Sequence, residues 1–109
     1  INDLNNIYGN KGLFFPIIEV ADKIVGLAKL EEQPGNSKNL WIKFISVDPE
    51  FQNRGYASQL MEEIFRFARE NDKSLEASLY SKVGYERLKP KLRKLADKYG
   101  VQFIDIKEE

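Results

Sequence analysis

The stretch Gln52-Asn53-Arg54-Gly55-Tyr56-Ala57 has the clearest chemical content of this 109-residue chain. It follows the apolar run Phe44-Ile45-Ser46-Val47, which Asp48-Pro49 ends, and it opens a segment with helical spacing. The first N–H groups of a helix have no internal acceptors, and the helix dipole adds partial positive charge there. Gly55 lets the backbone approach a ligand at dihedrals closed to other residues. Ala57 is small for the same reason, and Arg54 adds a formal charge. Together they read as a holder for a phosphate or pyrophosphate. The Gly-Lys-Ser/Thr of nucleotide P-loops and the three-glycine dinucleotide fingerprint are both missing, which disfavours nucleoside triphosphates and NAD.

Residue types limit the remaining chemistry. The chain has no Cys and no His, which excludes disulfides, thiol nucleophiles, histidine bases and the usual zinc sites, so no metal is expected. Proton transfer falls to Asp, Glu, Tyr, Lys, a terminus or water. Glu19, Glu31, Glu32 and Glu76 lie on or near strand-like runs and are the candidate bases, with a water chain as the alternative. Formal net charge is zero, which gives no global pull toward nucleic acid or anionic membrane. From Ser81 to Lys98, however, seven Lys/Arg face only two acids. That run reads as a solvated helix face, or as a landing place for a phosphate or an acidic partner.

The elements that would position these residues follow from periodicity. Leu13 to Val20 reads as a strand, with Pro16 favouring an edge or a bulge. Asp22-Lys23 turns it into a second strand, Ile24 to Glu31. Gln33 to Asn39 is dense in turn formers and reads as a loop. Leu40 to Val47 is apolar at nearly every position, as expected of a central strand covered on both faces. Tyr56 to Glu70 is helical by period, with Leu60, Ile64, Phe67 and Ala68 on one stripe. Leu75 to Tyr80 is a short strand. A second helix carries Leu88, Leu92, Leu95 and Tyr99 and stops at Gly100, with Pro90 kinking it or marking its regular start. Val101 to Ile106 is a last strand. The resulting order is β-β-β-α-β-α-β in one domain, an α/β fold with a mixed, mostly antiparallel sheet and a helix on each face.

On these residues the chain resembles the GNAT superfamily of N-acetyltransferases. Their acetyl-CoA motif is Gln/Arg-x-x-Gly-x-Gly/Ala after a strand ending in Val-x-Pro. Gln52, Gly55 and Ala57 take its three positions, and Val47-Asp48-Pro49 precedes them. The Val25-to-Ala28 strand and the later helix–strand–helix–strand order extend the similarity to nearly the whole chain.

The resemblance implies a V-splayed sheet, acetyl-CoA as co-substrate and acetyl transfer to an amine by direct attack in a ternary complex. It implies that the coenzyme contacts Ile45, Ser46 and Val47 on the central strand and Gln52, Asn53, Arg54, Gly55, Tyr56, Ala57 and Ser58 on the loop and helix. The N–H of Ile45, at a bulge, would polarise the thioester carbonyl. The acceptor is a small-molecule or protein amine, and a homodimer is possible on this pattern. Two family features are displaced. The usual acid, a helix Tyr in a Leu-Tyr-x-x-x-Gly-Phe ending, is Ala96 here, which leaves Tyr80 or Tyr85 as the candidate acid for the leaving thiolate. Ile1 to Gly12 are also too few for the strand and helices that precede the hairpin in the family, so an upstream segment, or an acceptor site open or completed by a partner, is expected. No apolar run is long enough to span a bilayer, and a cytoplasmic setting is the default expectation.

Overall fold

A computed structural model describes residues 7–77 and 82–105. Strand β1 spans Ile7–Asn10, β2 Leu13–Val20, β3 Lys23–Gln33 and β4 Asn36–Val47. A short 3-10 turn, Pro49–Phe51, leads to helix α1, Tyr56–Glu70. Strand β5 (Ser74–Ala77), helix α2 (Lys82–Tyr99) and strand β6 (Phe103–Ile104) follow. The described strands form one sheet in sequence order, β1 to β6. Its first four strands pair antiparallel; β4–β5 and β5–β6 pair parallel.

The expected mixed sheet and two helices are present, and several details differ from the sequence reading. A further strand, β1, precedes the hairpin and pairs Ile7–Asn10 with Leu13–Pro16. Its four residues are too short to carry a periodic signal. The expected loop Gln33 to Asn39 is mostly strand: pairing continues to Gln33–Asn36, and only Pro34-Gly35 turn. Gly35 at φ +78° after a proline suits a tight turn of this kind. Helix α2 continues through Pro90.

Another difference concerns the helices, which lie side by side on one face instead of one on each. Strands β4, β5 and β6 are parallel and advance in one direction, so successive right-handed crossovers put both helices on the same side. The contacts agree. Tyr99 Oη donates to Glu62 Oε1 (2.8 Å), and Lys98 Nζ to the same oxygen (2.7 Å).

One core lies between this helix layer and the sheet. Ala28, Leu30, Leu40, Ile42, Leu75 and Ala77 come from the sheet, Met61, Ile64, Phe65 and Ala68 from α1, and Leu92 and Leu95 from α2. On the opposite face, Trp41, Lys43 and Glu76 are half-buried. β4 is therefore covered on one face by the described residues, not on both.

Its apolar continuity has another cause. Lys29 pairs with Phe44 but Leu30 with Ile42, so Lys43 is an extra residue bulged out of β4. After the bulge the alternation shifts by one. Leu40 and Ile42 face the helices, and so does Ile45, which packs against the core, while Ser46 is exposed.

Candidate functional site

The site starts at the end of β4. The N–H of Asp48 donates to the carbonyl of Val25 on β3 at 2.8 Å. Pairing is unbroken from Phe44–Lys29 to Val47–Gly26. By strand alternation, Phe44 and Ser46 also turn their N–H groups to β3, whereas Ile45 and Val47 turn theirs away. On that other side β5 pairs only with Asn39 to Ile42. The last five residues of β4 therefore have no described neighbour there. Gln52 Nε2 donates to the carbonyl of Val47 at 3.1 Å, tying the loop back to this edge. The N–H and C=O of Ile45 and the N–H of Val47 remain along it.

The loop is built to present donors. Asp48 caps the 3-10 turn, its Oδ1 accepting from the N–H of Glu50 at 3.1 Å. That bond, with Lys23 beside it, holds the Asp48 carboxyl below the usual carboxylate range. Asn53 (φ +63°) and Gly55 (φ +85°) are both left-handed, a conformation that turns neighbouring amides toward one concavity. Gly55 is the N-cap of α1 and its carbonyl accepts from the N–H of Gln59 at 3.0 Å, but no side chain caps the helix. Among the described residues, the N–H groups of Asn53, Arg54, Gly55, Tyr56, Ala57 and Ser58 have no protein acceptor. Gln52 to Gly55 are exposed, and Tyr56 to Ser58 half-buried. A run of accessible donors at a helix start suits an anion with several oxygens. These residues fit the diphosphate of coenzyme A, and the edge of Ile45 and Val47, which no described strand covers, fits an amide-bearing arm that pairs like a strand.

Gly26 seats α1 over this edge. It pairs with Val47, and a Cβ there would stand 3.2 Å from Leu60 Cδ1. The first turn of α1 can thus lie close to the sheet just where the amides gather.

Sequence reasoning missed Lys23 and Phe51. Arg54 Cζ lies 5.0 Å from the Phe51 ring centroid and Lys23 Nζ 5.5 Å from it. Lys23 Nζ is also 3.4 Å from Asp48 Oδ2, and the rings of Phe51 and Tyr56 are 6.3 Å apart. Only the pairing of β3 with β4 brings the hairpin turn beside the loop, and no local signal marks it.

Among the described residues, the candidate bases are not assembled with this edge. Tyr80 lies outside the described residues, as does the side chain of Tyr85, whose backbone is in α2. Glu31 and Glu76 flank Trp41 in register on the open face. Trp41 is four residues from Ile45, roughly 13 Å of strand, beyond the reach of direct proton transfer at the Ile45 N–H. Glu76 also accepts from Asn39 Nδ2 at 2.8 Å, and Glu32 pairs with Lys73 at 3.4 Å. Glu19 is exposed on β2, opposite Ile24. Ala96 packs against the core, and the Tyr99 hydroxyl is held by Glu62 and Arg66 on α1. In the basic run, Lys89 and Arg93 pair with Asp105, and Lys98 with Glu62. Much of that charge is matched within the fold. Two cavities of about 550 Å³ open at the other end of the sheet, one beside Gly12 and Pro34, the other beside Asp72 and Gly100, away from the loop. No group of residues suited to a metal ion occurs among those described.

The sequence profile of the Acetyltransferase (GNAT) family matches residues 2–87. No curated protein matches the chain. Among solved structures, a GNAT-family acetyltransferase from Desulfovibrio desulfuricans aligns over 76% of this chain at 20% identity and a TM-score of 0.63. The chain spans only 54% of that protein's length. Tetrahymena GCN5 aligns over 92% of the chain and 64% of its own at 16% identity, TM-score 0.64. An aminoglycoside N-acetyltransferase, AAC(6')-Iy, in complex with CoA aligns over 92% and 75% at 17% identity, TM-score 0.60. These likenesses are of fold. The profile match covers most of the sequence, including the strand, loop and helix described above, and on that ground the chain belongs to the GNAT family of acetyltransferases.

Proposed function

We propose that this chain transfers the acetyl group of acetyl-CoA to a primary amine, by direct attack in a ternary complex. The observation that carries the reading is the row of amides from Asn53 to Ser58 that have no acceptor among the described residues, set beside the edge of Ile45 and Val47 that no described strand covers. Acetyl-CoA supplies an activated acetyl thioester. The amides from Asn53 to Ser58, with Arg54, hold its diphosphate. Val47 and Ile45 align its arm, and Gln52 keeps the strand end and the loop at fixed spacing through the Val47 carbonyl. The Ile45 N–H points off β3 into this groove and stabilises negative charge on the carbonyl oxygen. Deprotonation of the amine runs through water, since the strand carboxylates stand away from Ile45.

The acceptor is a small-molecule or protein amine. AAC(6')-Iy, an aminoglycoside acetyltransferase, shares the fold at low identity and lends the small-molecule class some support. Self-association into a dimer and a cytoplasmic setting belong to the same reading. No described helix is long and apolar enough to cross a membrane.

A second reading is a coenzyme-binding module with weak or no turnover, since the family match and the amide row speak to the coenzyme and not to the acceptor. Calorimetry with acetyl-CoA, followed by thiol release with a panel of polyamines, aminoglycosides and lysine peptides, decides between the two. Binding with amine-dependent thiol release supports the enzyme. Binding without release supports the module, and absence of binding refutes both.

A further inference from the structure

The amide cradle accounts for Asn53 to Ser58 and leaves a cluster beside it unused. Lys23 reaches from the β2–β3 turn to the Phe51 ring (5.5 Å) and to Asp48 Oδ2 (3.4 Å). Arg54 lies on the same ring at 5.0 Å. Two cations are thus collected on one aromatic side chain at the entrance to an anion site. Arg54 has no carboxylate partner among the described residues, so the ring positions its charge without neutralising it. The Lys23 side chain remains 55% exposed, which leaves its ammonium accessible to a ligand. Asp48 is the carboxylate beside Lys23. It is committed to the Glu50 N–H, and the 3-10 turn fixes it in place.

We infer that Lys23, together with Arg54, binds a phosphate of the coenzyme, so that the hairpin turn is a third arm of the cofactor site. The inference rests on the proposed acetyl-CoA reading. Phe51 holds both cations at its ring before the ligand arrives, which limits the ordering lost on binding. When a phosphate enters, the Lys23 ammonium shares its protons between phosphate and Asp48. Both the diphosphate and the 3′-phosphate of coenzyme A offer the same chemistry, charge-assisted bonds to a dianionic oxygen group.

The test measures affinity for coenzyme A and for 3′-dephospho-coenzyme A by calorimetry at two salt concentrations. The proteins compared are the unmodified chain, Lys23→Met, Lys23→Arg and the double variant Lys23→Met/Asp48→Asn. Lys23→Met is expected to weaken coenzyme A binding roughly tenfold, with a shallower salt dependence, and Lys23→Arg to restore most of it. An equal loss with both ligands assigns the contact to the diphosphate, and a loss confined to coenzyme A assigns it to the 3′-phosphate. If Lys23→Met binds like the unmodified chain, or if the added Asp48→Asn fully restores affinity, direct contact is refuted; in the second case Lys23 merely offsets Asp48. Failure of the unmodified chain to bind coenzyme A at all is a separate result, and it overturns the acetyl-CoA reading instead. Melting curves confirm that each variant is folded.

Discussion

At the scale of residues, Gly55 separates geometry from space. Its φ of +85° is costly for any side chain, yet a Cβ there would meet nothing within 4 Å. Gly55→Ala is therefore expected to cost about 1–2 kcal/mol through the backbone alone. The loop can relax by giving up the left-handed turn that gathers the amides. Gly35 provides the control, since it has φ +78° and equally open surroundings at the Pro34-Gly35 turn. Gly35→Ala should lower the melting temperature similarly and leave coenzyme A affinity unchanged, while Gly55→Ala should lose both. Equal affinities for the two variants would remove Gly55 from the site. This loop was legible in the sequence because its chemistry is local: a glycine, a small residue and a helix start within six positions. Lys23 was not legible, since 25 residues separate it from Asp48 and only the sheet register joins them.

At the scale of elements, α1 carries an unusual burden in Glu63. Its side chain is only 10% exposed, with Arg66 Nη1 3.5 Å away. Burial raises its carboxyl to about 7 from 4.5; Arg66 opposes the shift, and Glu70 and Glu62 add to it. A raised folded-state value means the native helix holds a proton that the unfolded chain releases. Stability from this group is thus greatest below about 4.5, falls as pH rises toward 7, and stays low above. Glu63→Gln should flatten that slope and stabilise the protein at pH 8, by at most about 3 kcal/mol. Urea unfolding at pH 5 and pH 8 reads the effect, and parallel pH dependence in both proteins would refute it. Periodicity found α1 to the residue but could not single out Glu63, whose burial depends on what packs over it.

The bulge in β4 explains the other misreading at this scale. Leu40 to Val47 reads as a strand buried on both faces because Lys43 shifts an alternating pattern by one place, making one-sided burial look continuous. Deleting Lys43 would leave Leu40, Ile42 and Ile45 on the helix side, since the register on either side of it already agrees. The core should survive while the strand straightens against β5. The expected outcome is a protein with near-native circular dichroism and cooperative unfolding that has lost coenzyme A binding. Retained binding would show that the bulge does not open the groove.

At the scale of the whole molecule, β4 is the seam of the sheet. On one side lie hairpins whose partners are near in sequence; on the other, β5 and β6 are reached only through helical crossovers. Local pairings close quickly and distant ones late, so the two halves are expected to differ in how readily they open. Deuterium uptake should be slowest in β3 and the paired part of β4, and faster in β5 and β6. A coenzyme lying along the free end of β4 touches the seam and the start of α1 together, and so acts as a splint between an early-forming half and a late-forming one. Its addition should slow uptake across β5 and α2 as well as at Ile45, Val47 and the loop amides. Protection confined to the contact residues would mean that the halves are already fastened without it.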